Sequence, residues 1–267
     1  MARHPSRNAP EHWTRGRSSL DSRIHPMTSH SVGVSPRCYA LVPCAGSGSR
    51  AGLGSPKQYQ VVAGRPLVAH ALDALARVAR IEATLVVLSE GDARFVAELP
   101  GLAGERLWLA HCGGATRAAS VAAGLEALRQ RGVRDEDWVL VHDAARCLIR
   151  PAWVERLIDA CLGDAVGGLL ALPLADTLKT GQDGRVAATV AREDKWAAQT
   201  PQMFRLGLLA RALAVAAQDS AQLITDEASA VEALGLRPLL VRGDYENFKV
   251  TWPGDFELAG RLLRSAL

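Results

Sequence analysis

From Cys38 onward the sequence alternates between short apolar runs rich in Val and Leu and longer stretches of helical period. Residues 38–43, 84–89, 107–110, 138–142 and 168–172 read as buried strands, and 66–79, 116–131, 151–162, 206–217, 226–234 and 253–267 read as helices. Pro66, Pro151 and Pro253 stand where a first-turn proline is tolerated. Strands alternating with helices predict an α/β fold with a mostly parallel sheet and helices on both faces. Ligands of such sheets bind beyond the carboxyl ends of the strands, so the loops that follow each strand are where chemistry is expected. One stretch, 176–193, breaks the alternation. It carries Asp183-Gly184 between two alternating segments, a hairpin signal. With little apolar content of its own, it is expected to form an arm that packs on something else, such as a second subunit.

Composition narrows the classes further. No run of eighteen apolar residues occurs in the 267-residue chain, which excludes a membrane-spanning helix on length. The five cysteines are odd in number and show no CxxC spacing, so free thiols in a reducing cytoplasm fit better than a disulfide framework or a four-cysteine zinc site. The net charge of +3 is concentrated in residues 1–37, where six arginines face only Glu11 and Asp21. The remainder is nearly neutral and lacks the basic footprint of a nucleic-acid binder. Residues 1–37 hold few large apolar groups and are expected to be a disordered extension. They lack the apolar core of a secretory signal. A transit peptide is one reading, and an upstream extension with Met27 as the working start is the preferred one. Residues 38–267 are expected to form a single domain.

The loop after the first strand contains Gly46-Ser47-Gly48-Ser49-Arg50-Ala51-Gly52. Glycines let backbone N–H groups approach phosphate oxygens closely, although a tight βα turn is the bland explanation. The dinucleotide fingerprint fails because the third glycine comes one place late and the next strand ends near Ser89, far too late to carry the acid. The P-loop fails because Lys57 follows Pro56, which pushes Ser55 out of helical geometry. The loop nevertheless places Arg50 and Lys57 beside a phosphate-sized cradle, in a chain with only four lysines, at 57, 179, 195 and 249. A compact ammonium retained here suits a phosphate.

Residues 42–50 with Ser55-Pro56-Lys57-Gln58-Tyr59 resemble the signature loop of nucleotidyltransferases, above all the 2-C-methyl-D-erythritol 4-phosphate cytidylyltransferase family. The segments 113–117 with Ser120-Val121, 141–146, 199–202, 224–230 and 247–251 with Pro253 and Asp255 resemble the same family, in the same order. The resemblance implies a Rossmann-like fold with a protruding hairpin arm. It implies transfer of CMP from CTP to a sugar-alcohol phosphate with release of pyrophosphate, in non-mevalonate isoprenoid precursor biosynthesis. The substrate supplies the attacking oxygen, so catalysis reduces to positioning and charge stabilisation.

By that resemblance, Arg50 and Lys57 stabilise the α- and β-phosphates, Lys249 stands between the triphosphate and the incoming phosphate, and Asp143 holds Mg²⁺. Pro43, Cys44, Ala45, Gly46, Gly48, Gly114 and Ser120 bind CTP, the cytosine being read by Gly114, Ser120 and the 43–45 backbone. Arg146, Thr177 and Arg192 hold the acceptor phosphate, the last two reaching a neighbouring subunit of a homodimer. Thr225-Asp226-Glu227 reads as a structural helix start with Thr225 able to cap, and His142 as structural. Two departures stand out: Cys44 where the family has alanine, and Cys147 where it has proline. A ribitol 5-phosphate cytidylyltransferase is the nearest rival reading. A non-catalytic nucleotide-binding module is the rival from another class, against which the retention of Arg50, Lys57 and Lys249 argues. The chain's length is expected to leave no room for a fused cyclase.

Overall fold

The computed structural model describes residues 35–46, 56–100, 102, 104–218 and 224–265. The expectations for the N-terminal extension, for Gly48 and for Arg50 therefore lie outside the described residues. The first half of the chain runs β1 (Cys38–Pro43), β2 (Val61–Val62), β3 (Arg65–Pro66), α1 (Leu67–Ala76), β4 (Ile81–Val87), α2 (Arg94–Glu98), β5 (Leu107–Ala110) and α3 (Arg117–Gln130). Then follow β6 (Trp138–Val141), α4 (Pro151–Cys161), β7 (Gly167–Pro173), β8 (Leu178–Gln182), β9 (Arg185–Val190) and β10 (Trp196–Arg205). The last elements are α5 (Leu206–Ala216), α6 (Glu227–Glu232), β11 (Leu239–Arg242) and α7 (Pro253–Ser265).

Seven strands form the central sheet in the order β11-β7-β10-β6-β1-β4-β5. Every neighbouring pair is parallel except the two made by β10, which runs antiparallel to both β6 and β7. Side chains alternate along each strand, so the sheet divides its apolar residues between two cores. Ala40, Val42, Val86 and Leu140 face α1 and α4, in contact with Leu75, Val154 and Ile158. Leu41, Leu85, Val139 and Val141 face the other side, packed with Val121 and Leu125 of α3, Leu209 and Leu213 of α5 and Val231 of α6. Both faces are thus covered by helices, as the alternation in the sequence requires. A third, smaller core joins α7 to Val62, Cys147 and Val250, and so ties the segment after β11 to the loop after β6.

The expected strands and helices are all present, with ends displaced by a few residues: 84–89 is Ile81–Val87, and 226–234 shortens to Glu227–Glu232. Five elements were not anticipated: β2 and β3, which form a ribbon, α2, β10 and β11. Strand β10 is the consequential one. It is paired with β7 at Ala198↔Ala171 and again at Gln202↔Leu169, so β10 spends two extra residues between these pairs. Pro201 sits inside that bulge, where its missing N–H interrupts no ladder bond. The hairpin arm forms as expected. Strands β8 and β9 pair only with each other, and Asp183 and Gly184 at the turn both have positive φ, 51° and 73°.

Candidate active site

A cleft of about 510 Å³ opens at the carboxyl ends of β1 and β6, where an open parallel sheet is expected to hold its ligand. It collects Pro43, Cys44, Ala45 and Gly46 after β1, Lys57 and Gln58, residues 114–117 and Ser120 at the start of α3, residues 143–145 after β6, and Lys249. Nine of the residues singled out in the sequence therefore share one surface: Pro43, Cys44, Ala45, Gly46, Lys57, Gly114, Ser120, Asp143 and Lys249.

Local folding explains how each is presented. Lys57 opens a short 3-10 turn, Lys57–Tyr59. Gln58 Nε2 donates to the Cys44 carbonyl at 2.8 Å, and the Tyr59 hydroxyl donates to Asp92 at 2.6 Å, pinning the turn against β1 and the start of α2. Lys57 Nζ donates to the Val250 carbonyl at 2.6 Å, which draws it towards the Lys249 segment. Thr116 caps α3 by accepting from Ala119 N–H at 3.0 Å. The Ser120 hydroxyl accepts from Gly114 N–H at 3.1 Å and donates to the Thr116 carbonyl at 3.0 Å, so it braces the loop that bounds the cleft. Gly113 is required there: a Cβ on it would lie 2.2 Å from the Ala45 Cβ, so only glycine lets the two loops meet.

Asp143 is the electrostatic centre. Its backbone N–H donates to Thr200 Oγ1 at 3.0 Å. One carboxylate oxygen accepts from Arg117 Nε at 2.8 Å, and the other pairs with Lys249 Nζ at 2.7 Å. Burial works to raise the pKa of Asp143, but Arg117, Lys249 and Arg146 outweigh it and hold the carboxyl far below the usual carboxylate range. The group is a fixed anion at any physiological pH. Among the described residues no three His, Cys, Asp or Glu side chains cluster into a metal cage. Magnesium does not require one, since it is commonly held by one or two carboxylates together with substrate phosphates. With each oxygen engaged once, Asp143 retains the lone pairs for such a bond.

Arg146 is buried behind Asp143. It donates to the carbonyls of Asn247 at 2.6 Å and Ala198 at 3.2 Å, and faces a smaller adjoining cavity of about 170 Å³ that it shares with Asp143 and Lys249. Its Nε is buried without a partner, and burial lowers its pKa. Thr177 and Arg192 lie elsewhere, exposed at the base of the arm, where Arg192 donates to the Ala175 carbonyl. They do not line the cleft of their own chain. His142 is fully buried between Thr200 and the Arg146 carbonyl, and burial lowers its pKa to about 4, which suits the structural part expected of it.

Three residues carry more than their sequence context suggested. Gln58 anchors the Lys57 turn. Arg117 bridges Asp143 to Glu227, donating to both Glu227 oxygens at 2.6 and 3.0 Å. Glu227, expected only as part of a structural helix start, is 1% exposed. The cap is Asp226 and not Thr225: Asp226 accepts from Ser229 N–H at 2.9 Å, and Ser229 Oγ accepts from the Asp226 N–H in return.

Residues 38–265 match the profile of the 2-C-methyl-D-erythritol 4-phosphate cytidylyltransferase family. The chain belongs to that family. The cytidylyltransferase of Chromobacterium violaceum is 57% identical over 84% of this chain and 96% of its own length. A bifunctional enzyme IspD/IspF of Albidiferax ferrireducens is 59% identical over 86% of this chain, which spans 54% of that relative. Among solved structures, a 4-diphosphocytidyl-2C-methyl-D-erythritol synthase superposes with a TM-score of 0.76 at 39% identity, covering 86% of this chain and 100% of the other. Members of the cytidylyltransferase family are nucleotidyltransferases of isoprenoid biosynthesis, and the fold expected from the sequence is theirs. Among the described residues no helix is long and apolar enough to cross a membrane.

Proposed function

We propose that this chain transfers the cytidylyl group of CTP to 2-C-methyl-D-erythritol 4-phosphate, giving 4-diphosphocytidyl-2-C-methyl-D-erythritol and pyrophosphate. The observation that carries the reading is the cleft itself: two lysines and one fixed carboxylate around glycine-bordered loops at the carboxyl edge of the sheet, in a chain of this family. An acceptor phosphate oxygen attacks the α-phosphorus of CTP, the bond to the β-phosphate oxygen breaks, and pyrophosphate leaves. No protein nucleophile is needed. The protein has to bring two polyanions together and stabilise the charge that develops between them.

Lys57, with Arg50 from the same loop, serves the α- and β-phosphates. Lys249 exchanges its contact with Asp143 for the phosphates as they arrive. Asp143 holds a divalent cation, Mg²⁺, which when bound neutralises triphosphate charge. The backbone at 43–45 with Gly114 and Ser120 reads the cytosine, and Gly46 and Gly48 of the glycine loop complete the CTP site beside the phosphates. Arg146 takes the acceptor phosphate from the adjoining cavity. Thr177 and Arg192 complete that subsite in the neighbouring subunit of a cytoplasmic homodimer. The decisive assay is pyrophosphate release with CTP and either 2-C-methyl-D-erythritol 4-phosphate or ribitol 5-phosphate, with and without Mg²⁺. Turnover with the first acceptor, dependent on Mg²⁺ and on cytosine rather than a purine, is expected. Turnover with ribitol 5-phosphate alone, or with neither, overturns the reading.

A further inference from the structure

Glu227 lies 110 residues from Arg117, is almost fully buried, and presents both carboxylate oxygens to the two terminal nitrogens of that guanidinium. The third nitrogen, Nε, is then left with one direction, and it points at Asp143 Oδ1. The arrangement is fork to fork on one side and single on the other, so the planar guanidinium transmits the orientation of Glu227 to Asp143. Glu227 is itself held firmly. It opens α6, whose N-cap Asp226 accepts from Gln202 Nε2 at 2.8 Å, while Ala228 N–H donates to Gln202 Oε1 at 2.7 Å, which fixes the helix start to β10. Burial pushes the Glu227 carboxyl up, and Arg117 offsets this only in part. A buried acid of this kind costs free energy, and as a mere fastening an apolar pair would serve as well.

We propose that Arg117 and Glu227 are positioning residues, and that together they aim the Asp143 carboxylate at the divalent cation that accompanies CTP. The inference rests on the proposed reaction, and its chemistry is confined to this chain's side chains. Arg117 fixes one oxygen of Asp143. The other faces Lys249, whose side chain is 37% exposed and can leave for a phosphate. Glu227 balances the guanidinium charge, so that Arg117 orients the aspartate without cancelling its attraction for a cation. Supporting groups around a ligating side chain typically contribute roughly tenfold to a hundredfold to metal affinity.

The test is the Mg²⁺ dependence of CTP binding, measured by calorimetry without acceptor so that no turnover occurs. The double variant Arg117→Met with Glu227→Met removes the pair without leaving a lone buried charge, and such replacements commonly preserve stability. Its half-saturating Mg²⁺ for CTP binding is expected to rise at least roughly tenfold, while its melting temperature stays within a few degrees of the wild-type value. Arg117→Lys keeps the charge and loses the fork, so it should show a smaller rise in the same direction. It carries the test should the double variant fail to fold. An unchanged Mg²⁺ requirement in a folded variant overturns the inference, as does wild-type CTP binding that ignores Mg²⁺. Wild-type protein that binds CTP with Mg²⁺ yet releases no pyrophosphate with any acceptor overturns the proposed reaction instead, and the effect of the pair on Mg²⁺ remains readable.

Discussion

Lys57 shows how much of a site one residue and its neighbours can disclose. A lysine in an arginine-rich chain, just past a glycine loop, was legible as a candidate for phosphate contact; the structure places it on the cleft, with Gln58 and Tyr59 holding its turn in place. Lys57→Ala should lower turnover by at least roughly a hundredfold, the scale of losing one preorganised charge stabiliser. Steady-state pyrophosphate release measures it, and near-normal turnover would remove Lys57 from the chemistry. Arg117 and Glu227 were not legible in the same way. An acid after a capping residue already has a local explanation, and nothing in the sequence says that its partner lies 110 residues away. Asp137 shares that concealment. Fully buried, it accepts from the backbone N–H groups of Arg37 and Arg134, each at 2.9 Å, and from the Arg134 guanidinium, and thereby ties the entry to β1 to the start of β6. Burial works to raise its pKa, but Arg134 and the N–H donors prevail and hold it below its ordinary value of 3.8. A depressed carboxylate contributes stability that is complete above its unfolded value and fades as pH falls through the folded one. Asp137→Asn should therefore cost roughly 1–3 kcal/mol at neutral pH, with the deficit closing only below pH 3.8. Paired denaturant titrations from pH 7 to 3 check this, and a deficit that closes already at pH 6 would assign it to another group.

At the scale of elements, the inner parallel strands β1, β4, β6 and β7 announced themselves because they are largely buried on both faces and read as continuous apolar runs. Strand β10 did not. Pro201 and the polar Gln199, Thr200 and Gln202 look like a loop, because the bulge that accommodates the proline is visible only once β7 lies alongside. Strand β11 lies at the sheet's edge with Leu240 and Arg242 exposed, so it lacks the buried run that marks the inner strands. What β10 adds is function through polar residues aimed out of the ladder: Thr200 under Asp143, Gln199 on Asp244 and Asn247, and Gln202 on α6. Gln202 is the most consequential, since it both donates to the α6 cap and accepts from the first turn. Gln202→Ala leaves Ala228 N–H and Asp226 without that partner in a buried setting, at a cost of roughly 2–4 kcal/mol. For a chain of this size that is a fall in melting temperature of very roughly 4–16 °C. Thermal melts give the size, and hydrogen exchange should show faster exchange concentrated in α6. Uniform destabilisation with α6 protected as before would mean that the helix does not depend on this contact.

At the scale of the whole molecule, the arm is the feature that a single chain leaves unexplained. Strands β8 and β9 bond only to each other, every residue of the pair is at least partly exposed, and Val186 is 65% exposed. A two-stranded ribbon on its own is marginal in water, so its order is expected to come from packing against a second copy. Thr177 and Arg192 stand at its base, away from the cleft of their own chain. If they serve the partner's cleft, each site draws Lys57 from one chain and Arg192 from the other. Lys57→Ala and Arg192→Ala should then each be inactive as pure dimers. In a mixed dimer, one site takes both intact residues and the other carries both lesions. Random reassortment makes about half of the dimers mixed, so about a quarter of all sites are restored, as two-fold symmetry requires. Unfolding and refolding the two variants together should recover up to roughly a quarter of wild-type turnover. Separately refolded controls should stay silent. A mixture shown by mass labelling to contain mixed dimers, and as inactive as its parents, would mean that Arg192 acts within its own chain or not at all. The arm would then have to be explained by stability alone, and Arg192→Ala should shift the dimer dissociation constant in place of turnover.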